Sequence, residues 1–350
     1  MTTLKDVAKR AGVSPKTVSR VVNRDPLVAV ETRANIQKIV DELGYIPNDA
    51  ARQMRTQSSR TVAFLTDVIA TTPNSVDIVR GVQDELRIEG RIMLIGNTGG
   101  VSSQEADYWR LFRAQRAAGA LYATMYHRSV DVSAADFTQP VVLVNCFDRG
   151  HRFASVLPDD FMGGYSQAKH LLELGHRRIG LISLNSVIRA ADLRRDGIIK
   201  AHKEFGAGLD ETLVRAGMVG RPGPDERLIG YEAALELLTL RKPPTAIIAG
   251  HDQIATQVFA AAAELGLRVP RDLSVIGFDD LRTITQTLRP ELTTVALPYY
   301  EMGRRATRIL DALIAGEPVP RNPVLEPCPL VVRQSCAPPA ARTCQPGRGR

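Results

Sequence analysis

The sequence predicts two fold classes in series. An N-terminal all-α helix-turn-helix domain comes first, then a two-lobed α/β body of doubly wound parallel sheets. Three observations carry this. Apolar residues repeat with helical period through the first sixty residues, interrupted by a glycine turn. From Thr61 onward, short β-rich runs alternate with amphipathic helical stretches, the pattern of parallel strands with helices on both faces. That second stretch covers about 275 residues, more than one core comfortably fills, so it divides into two subdomains with a cleft between them.

In the first segment Leu4, Val7, Ala8 and Ala11 fall at i, i+3, i+4 and i+7, one apolar stripe on a short helix. Gly12 breaks it where a tight turn needs permissive backbone angles. Ser14-Pro15 opens a second helix, with Ser at the N-cap and Pro at the first helical position. Val18, Val21 and Val22 of that helix turn inward. A third helix is predicted from about Thr32 to Leu43, with Ile36, Ile39, Val40 and Leu43 on one face and Gly44 ending it. Its start lacks a hydroxyl cap, because position 29 is Ala29. Three short helices with a glycine turn between the first two form a helix-turn-helix arrangement.

The β-rich runs are Thr61–Thr66, Arg91–Gly96, Gly119–Thr124, Val141–Asn145, Ile179–Ser183, Thr245–Ala249 and Ser274–Gly277. Helical patterns between them include Val76–Glu89, Gly163–Leu174, Ile229–Leu240 and Gln253–Leu265. From Ala337 the chain is rich in Pro, Ala, Arg and Gly without an apolar period, and reads as a disordered tail.

Charge placement points to a partner. The formal charge is +7, and residues 1–60 hold 11 Lys/Arg against 6 Asp/Glu. Residues 337–350 hold three Arg and no acid, which leaves the long middle near neutral. A basic head on a neutral body suggests nucleic acid. No apolar run approaches the roughly 18 residues a membrane span needs. The N-terminus turns acidic at Asp6 without a secretory stretch, so a cytoplasmic location is expected. Cys146, Cys328, Cys336 and Cys344 form no Cys-x-x-Cys pair, and free thiols with no metal or cofactor are expected. The chain has no Gly-x-x-x-x-Gly-Lys-Ser/Thr loop, no Gly-x-Ser-x-Gly elbow and no His-Glu-x-x-His, so nothing marks an enzyme.

A recognition helix places its N-terminal residues against base edges in the major groove. On the second helix these are Pro15, Lys16, Ser19 and Arg20. Lys16 and Arg20, four apart, share a face and can donate to guanine O6 and N7. Ser14, Thr17 and Asn23 are placed for phosphate contacts, which set register. The run Thr3-Leu4-Lys5-Asp6-Val7-Ala8, then Ala11-Gly12-Val13-Ser14-Pro15-Lys16-Thr17-Val18-Ser19-Arg20-Val21-Val22-Asn23, resembles the lac repressor/galactose repressor family of bacterial transcriptional regulators. So do Leu43-Gly44-Tyr45-Ile46-Pro47-Asn48, Leu174-Gly175-His176-Arg177-Arg178-Ile179-Gly180 and Ser274-Val275-Ile276-Gly277-Phe278-Asp279-Asp280. The resemblance extends over nearly the whole chain and leaves out only the tail.

The resemblance implies a DNA-binding regulator, most simply a repressor of carbohydrate-utilisation genes, and adds Thr3, Thr32, Tyr45, Asn48, Arg52 and Arg55 to the phosphate contacts. It also implies a hinge helix in which Met54 wedges into a minor-groove step beside Ala51, at an unstacking cost the bent DNA offsets. The domain boundaries that follow are 1–46 for the DNA-binding domain, 47–59 for the hinge, 60–336 for the effector body and 337–350 for the tail. Within the body, one lobe is expected at roughly 60–158 plus 290–318 and the other at 159–289 plus 319–336.

The body resembles periplasmic sugar-binding proteins, and its implied effector is a sugar held by Asp67, Asn145, Arg194, His251 and Asp279. His251 stands where many relatives have asparagine. Asp252, and Asp159 or Asp160, read better as helix caps. Tyr126, Phe147 and Trp109 are candidates to stack on a ligand, with core packing as the competing reading. Ser75–Glu89 and Pro298–Gly303 are expected at a homodimer face, since a palindromic operator needs a twofold protein; a tetramer stays open. A nucleobase effector is the alternative. A transport binding protein shares the cleft but needs a signal peptide in place of residues 1–60. By linkage, effector closes the cleft and changes operator affinity, with coupling of about 1–3 kcal/mol.

Overall fold

The computed structural model describes residues 2–22, 25–45, 59–72, 75–101, 103–132, 137–221 and 225–340. The chain divides into two units, residues 1–59 and 60–350.

The first unit holds α1 (Leu4–Ala11), α2 (Pro15–Val22) and α3 (Val30–Glu42). A reciprocal capping box starts α1: Asp6 N donates to Thr3 Oγ1 at 3.3 Å, and Thr3 N donates to Asp6 Oδ2 at 2.9 Å. Gly12 ends α1 at φ 66°, a left-handed conformation that favours glycine. Val7, Ala8, Val18, Val21, Ile36, Ile39 and Val40 close one shared core. α3 begins two residues before the expected Thr32, with Ala29 at its N-cap and no side-chain cap bond.

The second unit runs β1 (Thr61–Thr66), α4 (Val76–Ile88), β2 (Ile92–Asn97), α5 (Ser103–Ala114), β3 (Ala120–Ser129), β4 (Val141–Phe147), β5 (Ala154–Pro158), α6 (Asp160–Glu173), β6 (Ile179–Ser183) and α7 (Arg189–Glu204). It continues with β7 (Val214–Ala216), β8 (Met218–Val219), β9 (Arg227–Leu228), α8 (Gly230–Leu238), β10 (Ala246–Ala249), α9 (Asp252–Glu264) and β11 (Ser274–Asp279). It ends with α10 (Arg282–Thr285), β12 (Thr293–Ala296), α11 (Tyr299–Ile314), β13 (Val324–Glu326) and β14 (Leu330–Val331). One sheet has the order β13-β5-β4-β3-β1-β2, the other β14-β12-β11-β10-β6-β7. Both are parallel except for the β12–β14 pair.

Strand alternation sends side chains to both faces. In β1, Val62 and Phe64 meet Ile78, Val82, Met302 and Leu310 from α4 and α11, whereas Ala63 and Leu65 meet Trp109 and Phe112 from α5. In the second sheet, Leu181 and Ile248 pack on α6 and α7, while Ile182, Ile247 and Ala249 pack on α8 and α9.

Two segments lie in the opposite lobe from the one expected. β12 belongs to the second sheet, pairing Ile276 with Thr293, and β13 belongs to the first, pairing Val324 with Val156. The chain therefore crosses between lobes after β5, after β12 and after β13. β13 is a short edge strand whose parallel partner β5 is far away in sequence, so it carries no local mark of the sheet it joins. The expected tail also starts late: Ala337 N donates to Ser274 Oγ at 3.0 Å, and the Ala337 carbonyl lies 2.9 Å from His176 Nε2. Residues 341–350 lie outside the described residues. No helix among the described residues is long and apolar enough to cross a membrane.

Candidate functional site

In the first unit, the buried Val18 and Val21 turn one face of α2 inward. Pro15 and Lys16 stand exposed on the other side, and Ser19 and Arg20 are half-buried. Ser14 Oγ caps α2 by accepting from Thr17 N at 3.1 Å. Arg20 Nε donates to Asp25 Oδ2 at 2.7 Å, and this pairing holds the Asp25 carboxyl below its ordinary range. Thr3 Oγ1 is engaged with Asp6, and Tyr45 packs against the helical core. Thr32 is half-buried on α3. Asn23, Asn48, Ala51, Arg52, Met54 and Arg55 lie outside the described residues.

In the second unit the carboxyl ends of both sheets meet at a cleft holding about 510 Å³ of free space, its open mouth included. Its walls are largely apolar: Met125, Pro158, Leu184, Ile188, Met218 and Leu297. Asn145, Asp160, Arg194, His251, Asp279 and Tyr299 bring polar groups to it.

The shape of β3 decides what reaches the cleft. Its pairing with β4 shifts register between Ala123 and Arg128, which leaves backbone groups without ladder partners. Asp67 and Asn145, expected at the ligand, satisfy them instead. Met125 N donates to Asp67 Oδ1 at 3.0 Å and to Oδ2 at 3.2 Å, and Asp67 is not among the residues that line the cleft. Asn145, at φ 56°, donates through Nδ2 to the carbonyls of Thr124 and Met125, each at 3.0 Å. Both its amide hydrogens are thereby used.

The irregular stretch carries Tyr126 and His127 across to the other lobe. The Tyr126 hydroxyl donates to Glu226 Oε2 at 2.9 Å, and His127 Nδ1 lies 2.8 Å from Asp160 Oδ2. Asp160 is buried, and Arg194 Nε donates to its Oδ1 at 2.8 Å. Burial pushes the Asp160 carboxyl up, but the Arg194 charge and the His127 bond outweigh it and hold it below its ordinary range. Arg194 Nη1 donates to the Gly250 carbonyl at 2.7 Å and lies 3.9 Å from Asp279 Oδ1. The guanidinium stacks 3.4 Å from the centre of the Phe278 ring. Arg194 reaches this place because α6 and α7 touch: a Cβ on Gly164 would overlap the Arg194 backbone, and one on Gly197 would overlap the Phe161 carbonyl.

Asp279 ends β11 at φ 112°, a backbone conformation costly for a side-chain-bearing residue. Burial pushes its carboxyl up to about 7, against the opposing pull of Arg194. His251 caps α9, accepting from Ile254 N at 3.1 Å through Nδ1. Its Nε2 is buried and has no partner among the described residues. Burial, then Arg194, bring the imidazole down to about 4.

Arg194, His251, Asp279 and Asn145 thus line one cleft, with the Asn145 amide hydrogens spent on the frame, and Asp67 braces that frame from outside the lining. Asp159 caps α6 through Met162 N at 3.0 Å, but Asp160 is a cleft residue. Asp252 is no cap: it accepts from Thr294 Oγ1 at 2.7 Å and from Leu281 N at 2.8 Å. Trp109 sits in the core against Phe112, Tyr122 and Phe137, and Phe147 meets the His127 ring edge-on at 5.8 Å. Sequence reasoning missed Asp160, Tyr299 and His127 as cleft residues. Asp160 and Tyr299 stand where the chain leaves β5 and β12, and strand ends were the available signal. The Ser75–Glu89 and Pro298–Gly303 segments pack on each other within the chain, with the Tyr300 hydroxyl donating to Asp84 Oδ2 at 3.1 Å.

The profile of bacterial regulatory proteins of the lacI family matches residues 3–48, and that of a periplasmic binding protein-like domain matches residues 168–336. The repressor PurR of Serratia proteamaculans is 32% identical over 343 residues, covering 96% of this chain and 97% of the relative. A solved LacI-family transcriptional regulator from Rhizobium etli is 44% identical with a TM-score of 0.76, covering 80% of this chain and 100% of its own. The Lac repressor dimer bound to operator and an anti-inducer is 28% identical with a TM-score of 0.79, covering 96% of this chain and 99% of its own.

Proposed function

The chain belongs to the lacI family of bacterial regulatory proteins, DNA-binding transcriptional regulators and not enzymes, and from that premise we propose that a sugar-class effector in the interlobe cleft changes its affinity for a palindromic operator. One observation carries this reading. Arg194, Asp279 and a His251 Nε2 without a partner among the described residues converge on a small space whose other walls are largely apolar. Few fixed polar groups among apolar walls suit a small hydroxylated ligand, and an arginine beside a carboxylate suits neighbouring hydroxyls. Pro15, Lys16, Ser19 and Arg20 would read bases, with the phosphate contacts and the Met54 hinge as the sequence implies. The regulator would act as a homodimer, and effector would change its affinity for the operator.

A second reading, a nucleobase or nucleoside effector, is favoured by Tyr126 and Tyr299 in the lining. The test is a thermal-shift panel of mono- and oligosaccharides beside purine and pyrimidine bases and nucleosides, followed by operator release. A ligand at a hundred times its dissociation constant stabilises by about 2.7 kcal/mol. A sugar that raises the midpoint, with the rise lost in Arg194→Met, supports the first reading. A response confined to bases or nucleosides transfers it to the second.

A further inference from the structure

Resting on the reading of the cleft as an effector site, we infer that His251 faces the effector only as a hydrogen-bond donor. The ligand group seated against it is then an acceptor: a carbonyl, ring or hydroxyl oxygen, or an unprotonated ring nitrogen. The first turn of α9 leaves amide hydrogens without intrahelical partners. Ile254 N spends its hydrogen on His251 Nδ1 at 3.1 Å, so that nitrogen is an acceptor and carries no hydrogen. A neutral imidazole whose Nδ1 accepts bears its hydrogen on Nε2. Nε2 is the atom left buried without a partner among the described residues, on a ring that lines the cleft.

Protonating Nδ1 would set two hydrogens against each other at the helix cap. Burial and the nearby Arg194 charge also oppose it, which keeps the ring neutral well below pH 7. The cap therefore chooses the tautomer, and the tautomer chooses the ligand. A buried donor left unpaired is costly, so an acceptor there is favoured. A ligand that turns an N–H or an ammonium toward His251 is rejected.

The test is two-bond proton–nitrogen correlation of the full chain carrying ¹⁵N-histidine, with His251 assigned by its absence in His251→Asn. Asparagine is itself a good N-cap, so that variant is expected to fold. The expected spectrum at pH 7 shows Nδ1 bare and Nε2 protonated. On saturation with D-galactose, D-ribose or adenosine, whichever binds, the Nε2 hydrogen persists and exchanges with water at least fivefold more slowly. A hydrogen on Nδ1, in the free protein or the complex, overturns the inference, as does an imidazolium at pH 7. If no sugar binds, the effector class proposed above fails, while the spectrum of the free protein still decides the state of His251.

Discussion

Among single residues the central one is Asp160, because it is bonded to both Arg194 and His127. Removing it by Asp160→Ala leaves Arg194 a buried guanidinium without its carboxylate, a loss expected at about 3–5 kcal/mol. Urea unfolding should show this, and the double variant with Arg194→Met should recover much of it. The two cleft carboxylates also titrate in opposite senses. The depressed Asp160 contributes stability that is full above the ordinary value of 3.8 and is lost as pH falls below it. The raised Asp279 contributes stability that is full below 3.8 and is lost as pH rises through about 7. Asp279→Asn should therefore flatten a decline in wild-type stability between about pH 4 and pH 7; an unchanged slope would remove Asp279 from the account. His251 and Asp279 were legible in the sequence because each sits beside a strand end, and Arg194 because it lies in a recognisable run on α7. Asp67 and Asn145 were placed at the right edge, but their role turns on the register shift of β3 against β4. That shift is a relation between strands and leaves no local pattern.

Secondary-structure elements were legible wherever a long apolar period or a glycine turn marked them, as in α1, α2, α4 and β1. The short strands β12 and β13 were assigned to the wrong lobes: β13 is an edge strand whose parallel partner β5 is distant in sequence, whereas β12 lies inside the second sheet between β11 and β14. The same scale holds the device that places Arg194. Gly164 on α6 and Gly197 on α7 let the two backbones meet. Gly197→Ala drives a methyl group into the Phe161 carbonyl, and overpacking of this kind costs about 1–3 kcal/mol. The helices must separate, which carries Arg194 away from Asp160 and the Gly250 carbonyl. The expected result is a lower melting temperature and a weakened effector response, with operator binding in the absence of effector retained. Intact effector response in Gly197→Ala would show that helix contact does not set the position of Arg194.

For the molecule as a whole, the question is how two lobes joined by three crossings communicate closure. Two bonds from adjacent residues of β3 span the cleft, Tyr126 to Glu226 and His127 to Asp160. Glu226 also accepts from Asn185 Nδ2 at 2.9 Å, so the Tyr126 bond ends on a group already held in the second lobe. Such bonds stabilise a closed cleft whether or not a ligand fills it. Tyr126→Phe removes one of them without disturbing the core, and should shift the balance toward the open form by about 0.5–1.5 kcal/mol. An effector that prefers the closed cleft then binds more weakly, by about two- to twelvefold by the same conversion. Reciprocity makes the prediction strict: the factor by which saturating effector changes operator affinity must equal the factor by which operator changes effector affinity, in the wild type and in the variant alike. Titrating each ligand in the presence and absence of the other measures both factors. Weaker effector binding with an unchanged coupling factor would mean that the clasp sets cleft closure alone and that the signal to DNA leaves by another route. A fall in both would place the Tyr126–Glu226 bond on the path between them.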